Sequence, residues 1–265
     1  MKRILYLAMA ALMVLAVSCK KDPKDPIAPD DDNTFPVPEA VDLGTVVNGK
    51  TVKWASFNLG ASTEYEYGKY YAWGELEPKS NYTWTNYAHG GSGNLIIKYS
   101  PDTEEGAHRW DFDKKPDGPD GLVTLLPVDD VAAVKLGGKW RMPTKEDFEA
   151  LLALKDKAAQ ANPEYKWEPL VASALIGSEV VKGLRITRIA TNATLFIPAG
   201  GYDPYIGESG NVVTEELDQK GVYWSSSLDP ENPTYAWGFS FTSDRSKIDN
   251  NSRGSGFLIR PVYED

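Results

Sequence analysis

The chain of 265 residues contains a single cysteine, Cys19. No disulfide can therefore form within the chain, and a folded domain has to be stabilised by packing and hydrogen bonds alone. The composition suits that requirement, because eight tryptophans and fourteen tyrosines are available to fill a core. The length allows one large mixed domain.

The residues before Cys19 have the composition of a secretory leader. Lys2 and Arg3 precede an apolar run over residues 4–17, which is shorter than the about 20 apolar residues of a membrane-spanning helix. The end of the run, Ala16-Val17-Ser18-Cys19, resembles the lipobox of bacterial lipoproteins. That resemblance implies a signal peptide over residues 1–18 and lipidation of Cys19. We therefore expect a membrane-anchored, extracytoplasmic protein at the outer membrane or cell surface.

Residues 19–38 differ in composition from the rest of the chain. They are rich in Pro and Asp and almost free of large apolar side chains, which predicts an extended tether. The single folded domain is predicted over residues 39–265. The formal net charge of -10 and the lack of a basic run after Lys20 and Lys21 exclude nucleic acid as an expected partner, since phosphate backbones require clustered Lys and Arg.

Several segments of the predicted domain alternate with the period of a β-strand. The clearest spans residues 235–242 and places four aromatic side chains on one face: Tyr235, Trp237, Phe239 and Phe241. Further strands are predicted over residues 52–57, 195–197 and 257–262, with Pro261 near a sheet margin. Residues 85–121 are rich in Gly, Asp and Pro and predict a long irregular loop with one short element at residues 95–97.

Two helices are predicted between the early and the late strands. The first runs over residues 130–136 and ends at Gly137 and Gly138, which tolerate a left-handed cap. The second follows Thr144, whose side chain can cap the backbone, and its packing stripe includes Phe148 and Leu151. Strands on both sides of two helices predict an α+β fold.

Six segments resemble the Fibrobacter succinogenes major paralogous domain, which occurs in surface lipoproteins. The matching residues are KWASFNLGAS (53–62), YGKYYAWGELEPKSNYTW (67–84), LGGKWRMPTKEDFEAL (136–151), FIPAGGY (196–202), YWSSSL (223–228) and GFLIRPV (256–262). The resemblance covers nearly the whole folded region. It implies a C-type lectin-like fold, with a twisted antiparallel sheet, two flanking helices and a long irregular loop region. It also implies distant similarity to formylglycine-generating enzymes.

The residues argue against an enzyme. Formylglycine-generating enzymes act through cysteines, and the only cysteine here is assigned to lipid. Ser225, Ser226 and Ser227 follow Trp224 in a predicted strand without a Gly-x-Ser-x-Gly elbow, so we expect them to hydrogen-bond to backbone or loops. Acidic residues are plentiful, but none forms a distinctive catalytic pair. We interpret Asp129 and Asp130 as capping residues and Asp111, Asp113, Asp117 and Asp120 as solvated loop charges.

No metal site is predicted. His89 and His108 begin no metal-ligand pattern. Calcium stays open as a ligand, because lectins of the implied fold bind it through a Glu-Pro-Asn type loop and a Trp-Asn-Asp strand. This chain has Glu231 and Asn232 in a Pro-Glu-Asn-Pro sequence but lacks Trp-Asn-Asp.

Two arginines and four tryptophans lie inside the matching segments. We expect Arg141 and Arg260 to satisfy backbone carbonyls or a carboxylate such as Glu146, and to stack on aromatic rings. The tryptophans are expected in the core: Trp54, Trp73, Trp140 and Trp224.

A ligand surface is predicted on two loops, residues 202–219 and residues 229–235. The candidate ligand-binding residues are Tyr202, Asp203, Tyr205, Glu208, Glu231, Asn232 and Tyr235. Aromatic rings can stack on sugars and carboxylates can accept from hydroxyls. The function predicted is a noncatalytic binding or adhesion module for a glycan or a surface protein. The alternatives are a carboxylate-based enzyme acting on extracytoplasmic polysaccharide and a structural component of a pilus-like surface assembly.

Overall fold

The structure, a computed structural model, describes residues 35–90, 96–101, 120–176, 179–206 and 212–265. The side chains of residues 173–179 and 205–212 are outside this description. So are the leader, Cys19, Glu208 and His108, together with the predicted loop charges of Asp111, Asp113 and Asp117.

The described residues form an α+β structure with more strand than helix, as predicted. The strands are β1 Ala40–Val47, β2 Lys50–Ala55, β3 Trp140–Arg141, β4 Tyr165–Ile176, β5 Glu179–Arg188, β6 Ala193–Pro198, β7 Tyr202–Ile206, β8 Val212–Glu215, β9 Gly221–Leu228, β10 Tyr235–Phe241, β11 Ser246–Ser252 and β12 Val262–Glu264. The helices are α1 Val131–Leu136 and α2 Lys145–Ala158, with a 3₁₀ turn at Trp84–Asn86. No helix among these residues is both long and apolar enough to cross a membrane.

The strands pair antiparallel in four sheets. Their orders are β1-β2-β12-β3, β11-β10-β9, β4-β5-β6 and β7-β8. Isolated bridges join residues outside the strands to one another or to β9, including a parallel bridge between Leu258 and Tyr223 of β9. The chain after residue 256 therefore links the β9 sheet to the β12 sheet.

Both predicted helices form where the sequence places them. Asp130 caps α1 by accepting from Ala133 N at 3.0 Å, and Gly137 ends it with φ of 66°. Thr144 caps α2 by accepting from Asp147 N at 3.2 Å. The buried face of α2 includes Phe148, whose ring stacks on Phe239 of β10 at a centroid distance of 5.3 Å.

The predicted strand over residues 257–262 is wrong in its extent. β12 comprises only Val262–Glu264, because the preceding residues change partner along the chain. Phe257 bridges to Tyr71 and Leu258 to Tyr223, and the Pro261 carbonyl accepts from Ala55 N at 2.9 Å. A segment whose successive residues bond to different parts of the chain cannot form one regular strand ladder.

The compact unit spans Phe35–Asp265 and begins four residues before the predicted start. The Phe35 ring packs against the core cluster that includes Leu59 and Val131, with Lys69 Nζ 5.4 Å from its centroid. Within the predicted long loop, Ile96 forms an isolated bridge with Gly90, while Leu95 lies outside the described residues.

Candidate functional site

A groove of about 570 Å³ opens beside β3, within the size range of small-molecule and peptide sites. Its apolar lining consists of Leu125, Pro127, Ala133 and Trp140. Its charged lining consists of Lys50, Lys139, Arg141, Asp130, Glu264 and Asp265. These residues come from widely separated parts of the sequence, so only the folded chain forms the groove.

Asp130 fixes one wall of the groove by joining α1 to β3. Its carboxylate accepts from Ala133 N and, at 2.9 and 3.1 Å, from Met142 N. Burial of this side chain raises the pKa of Asp130 above its ordinary value, against the opposing effect of those amide hydrogen bonds. The prediction that Asp130 is a capping residue is confirmed. Asp129 is not a cap, because its carboxylate accepts from Tyr99 Oη and pairs with Lys98 Nζ.

Arg141 and Glu264 form the charged wall. Arg141 Nη1 lies 2.5 Å from Asp147 Oδ2 and Nη2 lies 3.3 Å from Glu264 Oε2. Burial disfavours the charged guanidinium, but the bonds to these two carboxylates raise the pKa of Arg141 overall. The hydrogen bond from Lys50 is the main cause that lowers the pKa of Glu264. The charges of this wall are therefore paired with one another within the fold.

Arg141 bonds to a backbone carbonyl, that of Met142, and to carboxylates, as predicted, but the carboxylate named as an example, Glu146, is not among them. Glu146 is exposed, whereas Asp147 is buried at the third position of α2 and also accepts from Thr144 N at 2.8 Å. Asp147 rather than Glu146 reaches Arg141 because successive residues of a helix point in different directions.

Lys139 is the groove cation that carries no ion pair with any described residue. The side chain is exposed, and its Nζ lies 6.0 Å from the centroid of the Tyr263 ring. By contrast, Lys50 pairs with Glu264 at 2.5 Å. The Trp140 ring is only 7% exposed and meets Tyr263 edge-on at 5.2 Å. The groove thus presents a free ammonium group and almost no open aromatic face.

Residues 122–128, which we call the edge segment, form the opposite wall. Leu125 N donates to Ser226 O at 2.9 Å, and Leu228 N donates to Val123 O at 2.8 Å. Thr124 is bridged antiparallel to Ser227. The edge segment therefore adds a short strand to the side of β9 that faces away from β10.

Exposed aliphatic side chains recur in the two elements that supply this part of the lining. Four of the exposed large hydrophobic residues lie on the edge segment or on α1: Val123 (44% exposed), Leu126 (37%), Val128 (65%) and Val134 (46%). They are outside the groove lining itself, but each is within two residues of a lining residue in the chain, and several exposed apolar side chains in one stretch are more than the scattered single ones of an ordinary surface.

The first predicted ligand loop has a structural role where it is described. Tyr202 packs edge-on against Phe257 at 6.2 Å, with Lys220 Nζ 4.9 Å from its centroid. Asp203 adopts φ of 46° and accepts from Gly256 N; burial raises its pKa. Tyr205 pairs with Val213 through the backbone, and its side chain is outside the described set, as is Glu208.

The second predicted loop is a turn organised by Asp229. Its Oδ1 accepts from Glu231 N at 3.1 Å and its Oδ2 from Asn250 Nδ2 at 2.5 Å. Asn232 Oδ1 accepts from Thr234 Oγ1 at 2.9 Å, and its carbonyl accepts from Tyr235 N at 2.8 Å. Among the described residues, no member of either predicted loop lines the groove.

The serines of β9 hydrogen-bond as predicted. Ser225 Oγ donates to Trp237 O at 2.6 Å, Ser226 Oγ donates to Pro143 O at 3.3 Å, and Ser227 Oγ accepts from Lys145 N at 3.0 Å. Asp120, predicted as a solvated charge, instead accepts from the amides of Tyr99, Ser100 and Leu122.

Arg260 is fully buried and structural, as predicted. Its guanidinium donates to Ala55 O at 2.9 Å and to Phe196 O at 2.8 Å. Burial lowers the pKa of Arg260 to about 10. The four tryptophans predicted in the core are buried there: Trp54, Trp73, Trp140 and Trp224.

Arg253 was not among the predicted structural residues, because it lies in a polar stretch of the sequence with nothing that distinguishes it from a surface arginine. The side chain is fully buried. It donates to Tyr87 Oη at 2.9 Å and to the carbonyls of Tyr99, Pro233 and Lys98 at 3.1, 2.8 and 2.9 Å. Arg253 thereby joins the irregular region to the turn before β10.

His89 is half-buried in the same region. Its Nε2 lies 2.9 Å from Gly74 O, and burial lowers its pKa. The described part of the chain contains no group of three or more His, Cys, Asp or Glu residues arranged to hold a metal ion.

Comparison of the chain with protein-family models, with curated proteins and with solved structures finds no match. The groove and its chemistry are therefore the basis for a functional proposal.

Proposed function

We propose that this protein is a surface-exposed, membrane-anchored lipoprotein whose folded unit is a noncatalytic binding or adhesion module for a glycan or a surface protein. The observation that carries the binding role is the groove beside β3. It combines an apolar lining with the unpaired Lys139, and the elements that line it, the edge segment and α1, also carry exposed aliphatic side chains; this is a combination of shape and chemistry found at recognition sites.

The groove charges support binding rather than chemistry. Asp130 is held by backbone amides, and Glu264 is paired with Lys50 and Arg141. A general acid or nucleophile has to reach substrate with a free proton or lone pair. The carboxylate oxygens of Asp130 and Glu264 are already engaged in hydrogen bonds and ion pairs within the fold.

The proposed fold family is the C-type lectin-like Fibrobacter succinogenes major paralogous domain. The described residues are compatible with it, since they form antiparallel sheets and two helices and contain no strand and no α-helix in the described stretches between β2 and α1, residues 56–90, 96–101 and 120–130. The segment GFLIRPV also supports the assignment, since Arg260 within it bonds to carbonyls of β2 and β6. Lipidation at Cys19 and the location at the outer membrane or cell surface belong to the same proposal.

The test is a binding screen with the full chain purified in detergent, against a glycan array and a panel of surface proteins. A Thr124→Trp variant places a large side chain in the groove, and Thr191→Trp is the control at an exposed site outside it. Thr124→Trp should bind the partners found in the screen about tenfold more weakly or worse, and Thr191→Trp should bind them as the protein without substitutions does. Equal binding by all three proteins, or release of products from a polysaccharide mixture, would contradict the proposal.

A further inference from the structure

We propose that the partner is a protein, bound through an extended segment that adds to the free side of the edge segment and carries aliphatic side chains and at least one carboxylate. This inference rests on the proposed binding function and names the class of ligand that the groove takes.

Thr124 has an unused backbone donor and acceptor. Val123 O and Leu125 N bond to β9, so the amide and carbonyl of Thr124 point to the opposite side, because alternate residues of a strand direct their polar groups to opposite edges. No hydrogen bond joins either group to any described residue. An exposed donor and acceptor pair at a strand edge is the feature that an added strand uses.

The exposed large hydrophobic side chains of the edge segment and α1 are all aliphatic: Val123, Leu126, Val128 and Val134. Sugars are bound by open aromatic faces, and the groove's tryptophan is 7% exposed, with its ring against Tyr263. Aliphatic side chains instead match the alternating side chains of an extended peptide, so the surface favours protein over glycan.

The groove also carries a positive charge that can attract a carboxylate. Lys139 stands exposed at the groove without a carboxylate partner among the described residues, in a chain whose formal net charge is -10. A free ammonium beside an apolar surface attracts a carboxylate of the bound segment and fixes its register. Lys50 and Arg141 contribute less, because Lys50 is paired with Glu264 and Arg141 with Asp147 and Glu264.

The experiment uses the full chain in detergent and a displayed library of peptides of about six residues, the usual length of a strand. Enriched peptides should alternate aliphatic and polar residues and include Asp, Glu or a free carboxyl terminus. A synthetic copy of the best peptide, with and without backbone N-methylation, is then titrated against each variant.

Two variants at one position separate backbone from side-chain recognition. Thr124→Pro removes the free amide, which has no partner in the fold, whereas Thr124→Val keeps the amide and the branched shape. We expect about tenfold weaker peptide binding with Thr124→Pro and less than about twofold change with Thr124→Val. N-methylation of the peptide should weaken binding to the unchanged protein in the same way.

Substitutions at exposed side chains test the same proposal without a change to the backbone, in case Thr124→Pro disturbs folding. Val134→Lys replaces a side chain of α1 that is 46% exposed and follows the groove-lining Ala133 in the chain, and Ile189→Lys replaces one that is 44% exposed elsewhere. Only the first should weaken peptide binding. Lys139→Met should weaken binding of carboxylate-containing peptides alone, and Lys166→Met should have no effect.

The outcomes separate the two proposals. Enrichment of extended peptides that lose affinity with Thr124→Pro and Val134→Lys supports the inference. Groove-dependent binding of glycans without any peptide binding overturns the inference and leaves the binding function standing. Peptide binding that both Val134→Lys and Ile189→Lys leave unchanged also overturns the inference. Absence of binding to peptides, glycans and surface proteins overturns both.

Discussion

The guanidinium of the fully buried Arg253 lies 4.8 Å from the centroid of the Trp73 ring. The same cation lies 5.3 Å from Tyr87 and 5.8 Å from Tyr99, and it bonds to three carbonyls of surrounding loops. Cation–π attraction and charge-assisted hydrogen bonds thus act on one side chain. Arg253 holds together loops that have no regular secondary structure of their own.

Replacement of Arg253 by Met should therefore destabilise the fold. Several buried acceptors would lose their donor, and each costs about 1–3 kcal/mol when left unsatisfied. We expect the free energy of unfolding in urea to fall by about 3 kcal/mol or more. Arg245→Met, at an exposed arginine, is the control. Equal stability of the two variants would contradict this role of Arg253.

His89 should make stability depend on pH. Burial lowers its pKa in the folded protein, in a site that also faces Asp129, Lys98 and Arg253, so the unfolded chain binds the proton more readily. The free energy of unfolding should then fall as the pH falls through about 6.5, the ordinary histidine pKa, and level off below the folded pKa.

Urea unfolding at several pH values measures this dependence of stability. His89→Gln removes the titrating group. The free energy of unfolding of this variant should therefore depend less on pH than that of the protein without the substitution. An identical pH profile in the two proteins would show that other groups cause the dependence.

Asp130 should stabilise both α1 and the wall of the groove. Asp130→Ala removes the acceptor for Ala133 N and Met142 N. Loss of a helix cap costs about 0.5–2 kcal/mol, and the buried amide of Met142 adds to this. Asp156→Ala, at an exposed position of α2, should change the free energy of unfolding by less than about 0.5 kcal/mol. A smaller effect at Asp130 than at Asp156 would contradict the assignment.

Cys19 should carry the lipid. Cells grown with labelled palmitate should incorporate label into the unchanged protein, and Cys19→Ser should abolish that incorporation and release the protein from the membrane fraction. Label retained by the serine variant would contradict the predicted anchor.

The two helices could be predicted because their signals are local. Asp130 and Thr144 each cap an amide only three residues ahead, and Gly137 ends α1 directly. The hairpin of β4 and β5 was missed, because its pairing shifts register twice and Leu170 has φ of 49°. These irregularities disrupt the alternation by which a strand is recognised.

The groove could not be predicted from the sequence. Thr124, Trp140, Ser226 and Glu264 meet only after distant strands have paired. The predicted ligand residues were chosen for polar and aromatic character, but Asp203 and Asn232 use their oxygen atoms within the fold. Whether a side chain is free or already bonded is a property of the folded structure, and the same is true of the burial of Arg253.

The most direct measurement of the binding site is hydrogen exchange at the Thr124 amide, with and without a saturating peptide from the library. The amide has no partner in the described fold, so it should exchange rapidly in the free protein and at least about tenfold more slowly in the complex, while the amide of Ile189 is unchanged. Equal exchange at Thr124 in the free and peptide-saturated protein would contradict the account.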